Sequence, residues 1–444
     1  MSPPVKTVLL PLISLTAALV FSGDPPALRP PQTVGMAADR LTEVDRVVRR
    51  GIAVGAYPGA AVIIGRRGSA VLQTGYGKLS WRPNAAPVDP ARTIYDLASL
   101  TKPVCLATAA MVLYDEGKLP LDKKVQEILP EFTGRWKERV TVGHLLSHTG
   151  GLPAGVRNIW LKAKTPAQGR QQILTARMNS MPGGIVDYSD VGAITLGLAI
   201  ERVAGMPLNQ FCESRIFRPL GMNDTRYLPP ASLKPRIAPT EQYPPRGHPA
   251  HGEVHDETAH TLGGVTGNAG LFSTATDLAI FAQMMLNRGT YGGVRIIQDS
   301  TVRQFTRLVK GNRTYGWEMP MMERGSGEFL SPNSFGHVGY TGTSVWIDPD
   351  RQLFVILLTN RVHEARARRP GIVIADVRHD VADAAALSIV DDPTLHAIPW
   401  PRDFRVDVAV DWNPPTEVGI RRPTTVPRQS AASSPDASHS RQRR

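Results

Sequence analysis

The sequence predicts a mixed α/β (α+β) fold, with one sheet assembled from both ends of the chain and a helical subdomain inserted between them. Three observations predict it. Short β-rich runs stand early in the folded body, at Pro58 to Gly65 and Ala70 to Gly75. Strand character returns late, at Ser344 to Ile347 and Leu353 to Leu358. Between about Pro120 and Leu330 the text is mainly helical segments and Pro/Gly loops. Strand text at both ends around helical text implies a layered domain with an insertion.

The elements follow in order. Met36 to Ala53 places Leu41, Val44, Val47 and Val48 at helical spacing among charges. The two early strands are joined by Arg66-Arg67-Gly68-Ser69, a hairpin signal. Leu97 to Glu116 reads as a long, largely apolar helix and is therefore expected to be buried. A last helical pattern runs through Val381 to Leu387. The α/β part is thus expected at about 36–100 and 335–395, and the helical part at about 101–334, within a domain spanning 36–405.

Composition narrows the class. The chain has 444 residues, 42% apolar and 20% charged, which excludes a disordered chain, a collagen and a coiled coil. Two cysteines, Cys105 and Cys212, cannot build a disulfide framework. Cys105 is expected as a buried free thiol, with the core held by packing alone. The formal charge of +12 suggests nucleic acid at first sight. Of the 51 basic residues, however, 40 are Arg, and residues 421–444 alone contribute +5. No nucleic-acid partner is expected.

Both ends lie outside the folded body. Lys6 precedes a 14-residue apolar run, Val8 to Phe21, which is too short to span a bilayer. It reads as a secretory signal over 1–23, so the expected location is secreted, periplasmic or cell-envelope, with no stable transmembrane span. The proline-rich stretch 24–35 reads as a linker. The Pro/Ser/Thr/Arg-rich segment 413–444 is expected to be a disordered basic tail.

The chemistry starts at Ser99-Leu100-Thr101-Lys102. Residues three apart share a helix face, so Ser99 Oγ and the Lys102 amine are expected to meet. A serine hydroxyl is a weak nucleophile until a base removes its proton, and a desolvated lysine can be that base. Pro103 requires a nearby helix start, where free amides favour developing negative charge. The tetrad alone is weak evidence, since chance predicts about 0.6 such pairs in this composition. Its company strengthens it. Tyr188-Ser189-Asp190 stands at a loop-to-helix junction, where a tyrosine can relay or orient a proton. His337-Val338-Gly339-Tyr340 leads into a strand, and Gly339 lets a substrate approach the strand edge. The backbone amides of Ser99 and Tyr340 could then form an oxyanion hole.

With these residues in this order, the sequence resembles the serine β-lactamase and penicillin-binding-protein superfamily. It is most similar to the class C-like branch of esterases, D-aminopeptidases and carboxypeptidases. Further stretches carry the same resemblance: Ile94 to Pro103, Leu145 to Pro153 and Gly270 to Thr274. Val254-His255-Asp256-Glu257, followed by Gly263-Gly264, is similar to penicillin-binding protein 4B and its relatives. The resemblance covers about residues 38–390. It implies an antiparallel sheet flanked by helices, an all-helical subdomain, and a site between them. It also implies Ser99 as nucleophile, Lys102 as base and Tyr188 as partner in proton transfer, with no metal and no cofactor. Two departures stand out. Asp190 replaces an asparagine, exchanging an amide for an acceptor-only acid. His337 replaces a lysine, so a permanent positive charge for a substrate carboxylate is missing there at neutral pH. Asp190, His337 and Gly339 are the expected substrate-binding residues.

Other features have plainer readings. His248, His251, His255 and His260 crowd with three acids, but their spacing matches no closed zinc motif. A structured loop near the cleft is the expectation. Gly264, Gly267 and Gly270 read as tight turns, and His148 as a hydrogen bonder that locks a loop. Trp317 could line the cleft or pack. The functional expectation is a secreted serine hydrolase, with a Ser99 acyl-enzyme, acting on small esters, D-amino-acid peptides or β-lactams, and with peptidoglycan as a further partner. The alternative is a penicillin-binding or cell-wall-binding protein that acylates without efficient release.

Overall fold

Helix α1 (Ala38–Ala53) leads into a hairpin of β1 (Gly59–Arg66) and β2 (Ser69–Gly77) in this computed structural model. The model describes residues 23–242, 246, 248–321, 325–364 and 368–409. The expected signal, apart from Gly23, and the expected tail lie outside the described residues. Arg67 and Gly68 both take positive φ, 48° and 83°, the geometry of a tight two-residue hairpin turn. Arg66 accordingly pairs with Ser69.

After β3 (Tyr95–Asp96) the chain enters one helical run. It begins as a 3-10 turn at Ala98–Leu100, widens to a π turn at Lys102–Ala107 and continues as α2 (Thr108–Asp115). The helical subdomain follows and includes α3 (Asp190–Ala204) and α4 (Leu208–Cys212). Next come β4 (Arg226–Tyr227), β5 (Leu271–Ser273), α5 (Ala275–Leu286) and the small hairpin β6 (Thr290–Tyr291) and β7 (Val294–Arg295). The chain then returns to the main sheet as β8 (Phe335–Val338), β9 (Ser344–Asp348) and β10 (Leu353–Thr359), and closes with α6 (Gly371–Leu387).

The main sheet has the order β2-β1-β10-β9-β8, antiparallel throughout. The first two strands of the body and the last three therefore meet at β1–β10, as the sequence predicts. A three-stranded sheet, β3-β5-β4, sits at the junction with the helical part.

Alternation along the strands divides the core in two. Ala60, Val62 and Ile64 of β1, with Leu353, Val355 and Leu357 of β10, pack against α1 and α6. Ala61 and Ile63, with Phe354, Ile356 and Leu358, face α5 and the helical part. Both faces of the central strands are buried, hence their nearly continuous apolar text. Each fully buried large aliphatic side chain contributes about 1.5–3 kcal/mol.

Three expectations need correction. Residues 24–35 do not hang as a linker: Leu28 bridges Ala70, and Ala27 and Arg29 exchange backbone hydrogen bonds with Ala70. This covers the edge of β2, whose unpaired amides otherwise face solvent. Second, α5 falls within the expected helical insert but packs on the sheet, being apolar nearly all round. Third, Cys105 is not a free thiol. It is disulfide-bonded to Cys212 on α4, across 107 residues, with a Cα–Cα distance of 6.1 Å. The subdomain's folding brings together two cysteines whose separation gave no hint of pairing.

Replacing both cysteines with alanine removes the closure of that span. Loop-closure entropy sets a ceiling of about 4–5 kcal/mol on the loss. The expected outcome is a lower denaturant midpoint for the double variant, read by urea unfolding. Alkylation of the native protein is expected to add no label until it is denatured and reduced.

Candidate active site

Ser99 sits at the first turn of the buried helix, where β3 ends. The residue before it, Ala98, has φ +47°, an unfavourable conformation for a side chain with a Cβ. Asp96 holds the turn: its Oδ1 accepts the Ala98 N–H at 2.8 Å and its Oδ2 the His255 N–H at 2.6 Å. Burial pushes the Asp96 carboxyl up, and nearby His255 and these N–H donors pull it back. The strained turn presents a half-buried Ser99 to the cleft.

Lys102 lies directly behind it. Only 2% of the residue is exposed, and Nζ donates to Ser99 Oγ at 3.1 Å and to the Asn268 carbonyl at 3.1 Å. Nζ also contacts Asp190 Oδ1 at 2.7 Å and lies 4.7 Å from the centre of the Tyr188 ring. Burial alone lowers a lysine, but the Asp190 carboxylate and Tyr188 outweigh it, so Lys102 is held above its ordinary value. The π turn beginning at Lys102 also contains Pro103, which has no N–H to close an ordinary helical turn.

Tyr188 arrives on the residue before the N-cap of α3. Ser189 caps that helix by accepting the Gly192 N–H at 2.9 Å, and its hydroxyl donates to the Pro153 carbonyl at 2.7 Å. His148 Nδ1 accepts the Ser189 N–H at 3.1 Å, and the His148 ring lies 4.5 Å from that of Tyr188. Burial, with Arg313 and Lys102 nearby, pushes His148 well below its ordinary value and keeps it neutral. His148 thus locks the loop that positions Tyr188. Burial raises the Tyr188 phenol, and Lys102 partly offsets that rise.

The facing wall comes from the sheet edge. Thr341 Oγ1 donates to the Asp96 carbonyl at 2.8 Å and Thr343 Oγ1 to the Leu97 carbonyl at 3.0 Å. These bonds pin the loop after β8 to the nucleophile's turn. Gly339 is required by close approach: a Cβ there stands 2.1 Å from Thr343 Oγ1 and 2.5 Å from the Leu97 carbonyl oxygen. A cavity of about 260 Å³ opens between the walls, lined by Ser99, Tyr188, His337, Gly339 and Tyr340.

Three arginines, Arg313, Arg361 and Arg378, and one acid, Glu318, also line this cavity. Arg378 Nη2 donates to the Gly339 carbonyl at 2.7 Å and to the Thr343 carbonyl at 3.0 Å. Burial and the neighbouring Arg361 lower it to about 9. Arg361 Nε donates to the Tyr340 carbonyl at 2.9 Å, and its guanidinium lies 5.0 Å from the centre of the Tyr340 ring. Arg313 pairs with Glu318 at 3.2 Å and lies 5.1 Å from the Tyr188 ring. The positive charge missing at His337 is therefore supplied by other elements.

The structure gathers Ser99, Lys102, Tyr188, His337, Gly339 and Tyr340 at one place. Asp190 stands beside them, with its Oδ1 turned to Lys102 and its side chain 31% exposed. The crowded histidines are engaged by the protein: His255 with Glu241 at 2.7 Å, His248 with Glu253 at 3.0 Å and His251 with the Ile237 carbonyl at 2.9 Å. Trp317 packs between Phe281 and Phe335 and is only 1% exposed. Sequence reasoning missed the arginines and Asp96. Arg378 carried a usable signal, a charge on the buried face of an apolar helix. Arg361, in a loop, carried none.

Comparison with known proteins follows this geometry. The family described as Beta-lactamase matches residues 44–379. An Escherichia coli K12 protein named "Putative D-alanyl-D-alanine carboxypeptidase" is 33% identical over 369 residues, covering 75% of this chain and 85% of the relative. Among solved structures, EstCE1, a hydrolase with promiscuous acyltransferase activity, superposes with a TM-score of 0.64 at 23% identity, covering 78% of this chain and 99% of that one. A penicillin-binding protein homologue from Caulobacter crescentus gives 0.63 at 21% identity, covering 79% and 99%.

Gly339→Ala tests the pinned wall. Its Cβ must push the loop off the Ser99 turn, and a misplacement of this kind costs on the order of 10²-fold in rate. The expected outcome is that loss in kcat/KM for p-nitrophenyl acetate, with the protein still folded by circular dichroism.

Proposed function

Because the chain belongs to the β-lactamase family of serine hydrolases, we propose that it hydrolyses D-alanyl peptides through an acyl-enzyme on Ser99. The observation that carries this reading is the arrangement of the cavity, with Ser99 backed by Lys102 and Tyr188, and with Arg361 and Arg378 on the wall of Gly339 and Tyr340. Ser99 Oγ attacks the scissile carbonyl, and its proton leaves through the Lys102–Tyr188 pair. The amides of Ser99 and Tyr340 receive the developing oxyanion.

The arginines decide the substrate class. Arg361 and Arg378 both line the cavity, and burial and repulsion by Arg361 disfavour the Arg378 charge. A substrate carboxylate relieves that repulsion and accepts charge-assisted hydrogen bonds. A peptide ending in a free D-alanine brings such a carboxylate close to the bond to be cut. Neutral esters lack it, and should be turned over less efficiently for that reason. The apolar run at 8–21 supports placing the reaction outside the cytoplasm, where peptidoglycan supplies such peptides.

The test is D-alanine release from a diacetyl-Lys-D-Ala-D-Ala peptide. Ser99→Ala is expected to abolish it, by at least about 10³-fold. Arg361→Ala is expected to lower kcat/KM for that peptide about 10–100-fold, the worth of one charge-assisted bond. Hydrolysis of p-nitrophenyl acetate by Arg361→Ala should change far less. Equal loss on both substrates would remove the arginine from substrate recognition.

A further inference from the structure

Lys102 is enclosed by groups from several elements. Asp190 begins α3 and reaches Nζ at 2.7 Å. Tyr188 lies against Nζ from the preceding loop. His148, Arg313 and His337 lie 4.5, 5.1 and 6.1 Å from the centre of that ring, and Asp256 is tied to Asn268, whose carbonyl also accepts from Nζ. Asp190 is thus the acid in direct contact with the ammonium.

We propose that Asp190 is a positioning residue that holds Lys102 as an ammonium in the resting enzyme, so that Ser99 is activated only when this ion pair gives way. The proposal deepens the reading of Ser99 as nucleophile and rests on it. An ammonium nitrogen has no lone pair, so Nζ cannot accept the Ser99 proton as it stands. Lys102 must first give up a proton to solvent water, against the hold of the Asp190 carboxylate at 2.7 Å, leaving a neutral amine. The amine then takes the Ser99 hydroxyl proton, 3.1 Å away, as Oγ bonds to the substrate carbonyl carbon. When the tetrahedral intermediate collapses, the carbon–nitrogen bond breaks. Lys102 then protonates the leaving amine and regains its resting proton from solvent, while Asp190 stays charged throughout. Charge and protons balance, with water as the proton carrier.

This arrangement predicts an alkaline-rising profile. In the wild type, the amine becomes available only as pH climbs towards the raised value of Lys102. Asp190→Asn keeps the side chain's shape and removes its charge. Burial then lowers Lys102 unopposed by Asp190, and the neutral amine appears at lower pH.

The experiment measures the acylation rate of the full-length protein by a fluorescent penicillin as a function of pH. For Asp190→Asn the rising limb is expected about 1–3 pH units lower than in wild type, the usual effect of one opposite charge at contact distance. Asp190→Glu, which restores the charge, is expected to move the limb back towards wild type. An unshifted limb in folded Asp190→Asn overturns the proposal, since a merely structural role changes rates but not this midpoint. If Asp190→Asn does not fold, the wild type decides: a flat profile from roughly pH 6 to 9 overturns the proposal and a rising one supports it. Labelling of Ser99→Ala at the wild-type rate would instead overturn the nucleophile assignment itself.

Discussion

Burying the Lys102 ammonium beneath Ser99 is the constraint on which the rest of the site depends. Removing a charge from water costs several kcal/mol unless its partners are well placed. Lys102 finds a carboxylate from α3, a carbonyl from the Asn268 loop, the Tyr188 ring and the Ser99 hydroxyl. These come from parts of the chain up to about 170 residues apart, so the helical subdomain must dock correctly for the lysine to be tolerated. The Cys105–Cys212 bond ties the same helix to α4, three residues beyond Lys102. Fold and site therefore stabilise each other at this helix.

The second requirement is a fixed gap between the subdomain and the sheet. Thr341 and Thr343 lock the β8–β9 loop to the backbone of Asp96 and Leu97, and Arg378 braces that loop from α6. The cavity therefore has one wall from each half of the fold. A small shift of either half moves the Tyr340 amide relative to Ser99. This explains why the sequence tolerates a strained Ala98 and requires a side-chain-free position at 339.

Much of this was legible in the sequence. Short, nearly continuous apolar runs marked β1 and β10, Arg66 to Ser69 marked the hairpin, and the Ser99/Lys102 spacing marked the heart of the site. Local spacing does not report contacts between distant segments, and the missed features are all of that kind. Cys105 and Cys212 read as unpaired because only the folded subdomain brings them together. The contact of Asp190 with Lys102 went unread because the two lie 88 positions apart in the sequence. Arg361 could not be placed, since nothing in its loop shows that it turns over Tyr340. The likeness to the solved structures agrees with the sheet and its flanking helices.

The central claim is that Ser99 carries the acyl group. Peptide mapping of the protein after brief reaction with a penicillin tests it most directly. Tandem mass spectrometry is predicted to place the penicilloyl adduct on Ser99 and on no other residue. An adduct mapped to Tyr188, Lys102 or another serine, with Ser99 unmodified, would contradict the account.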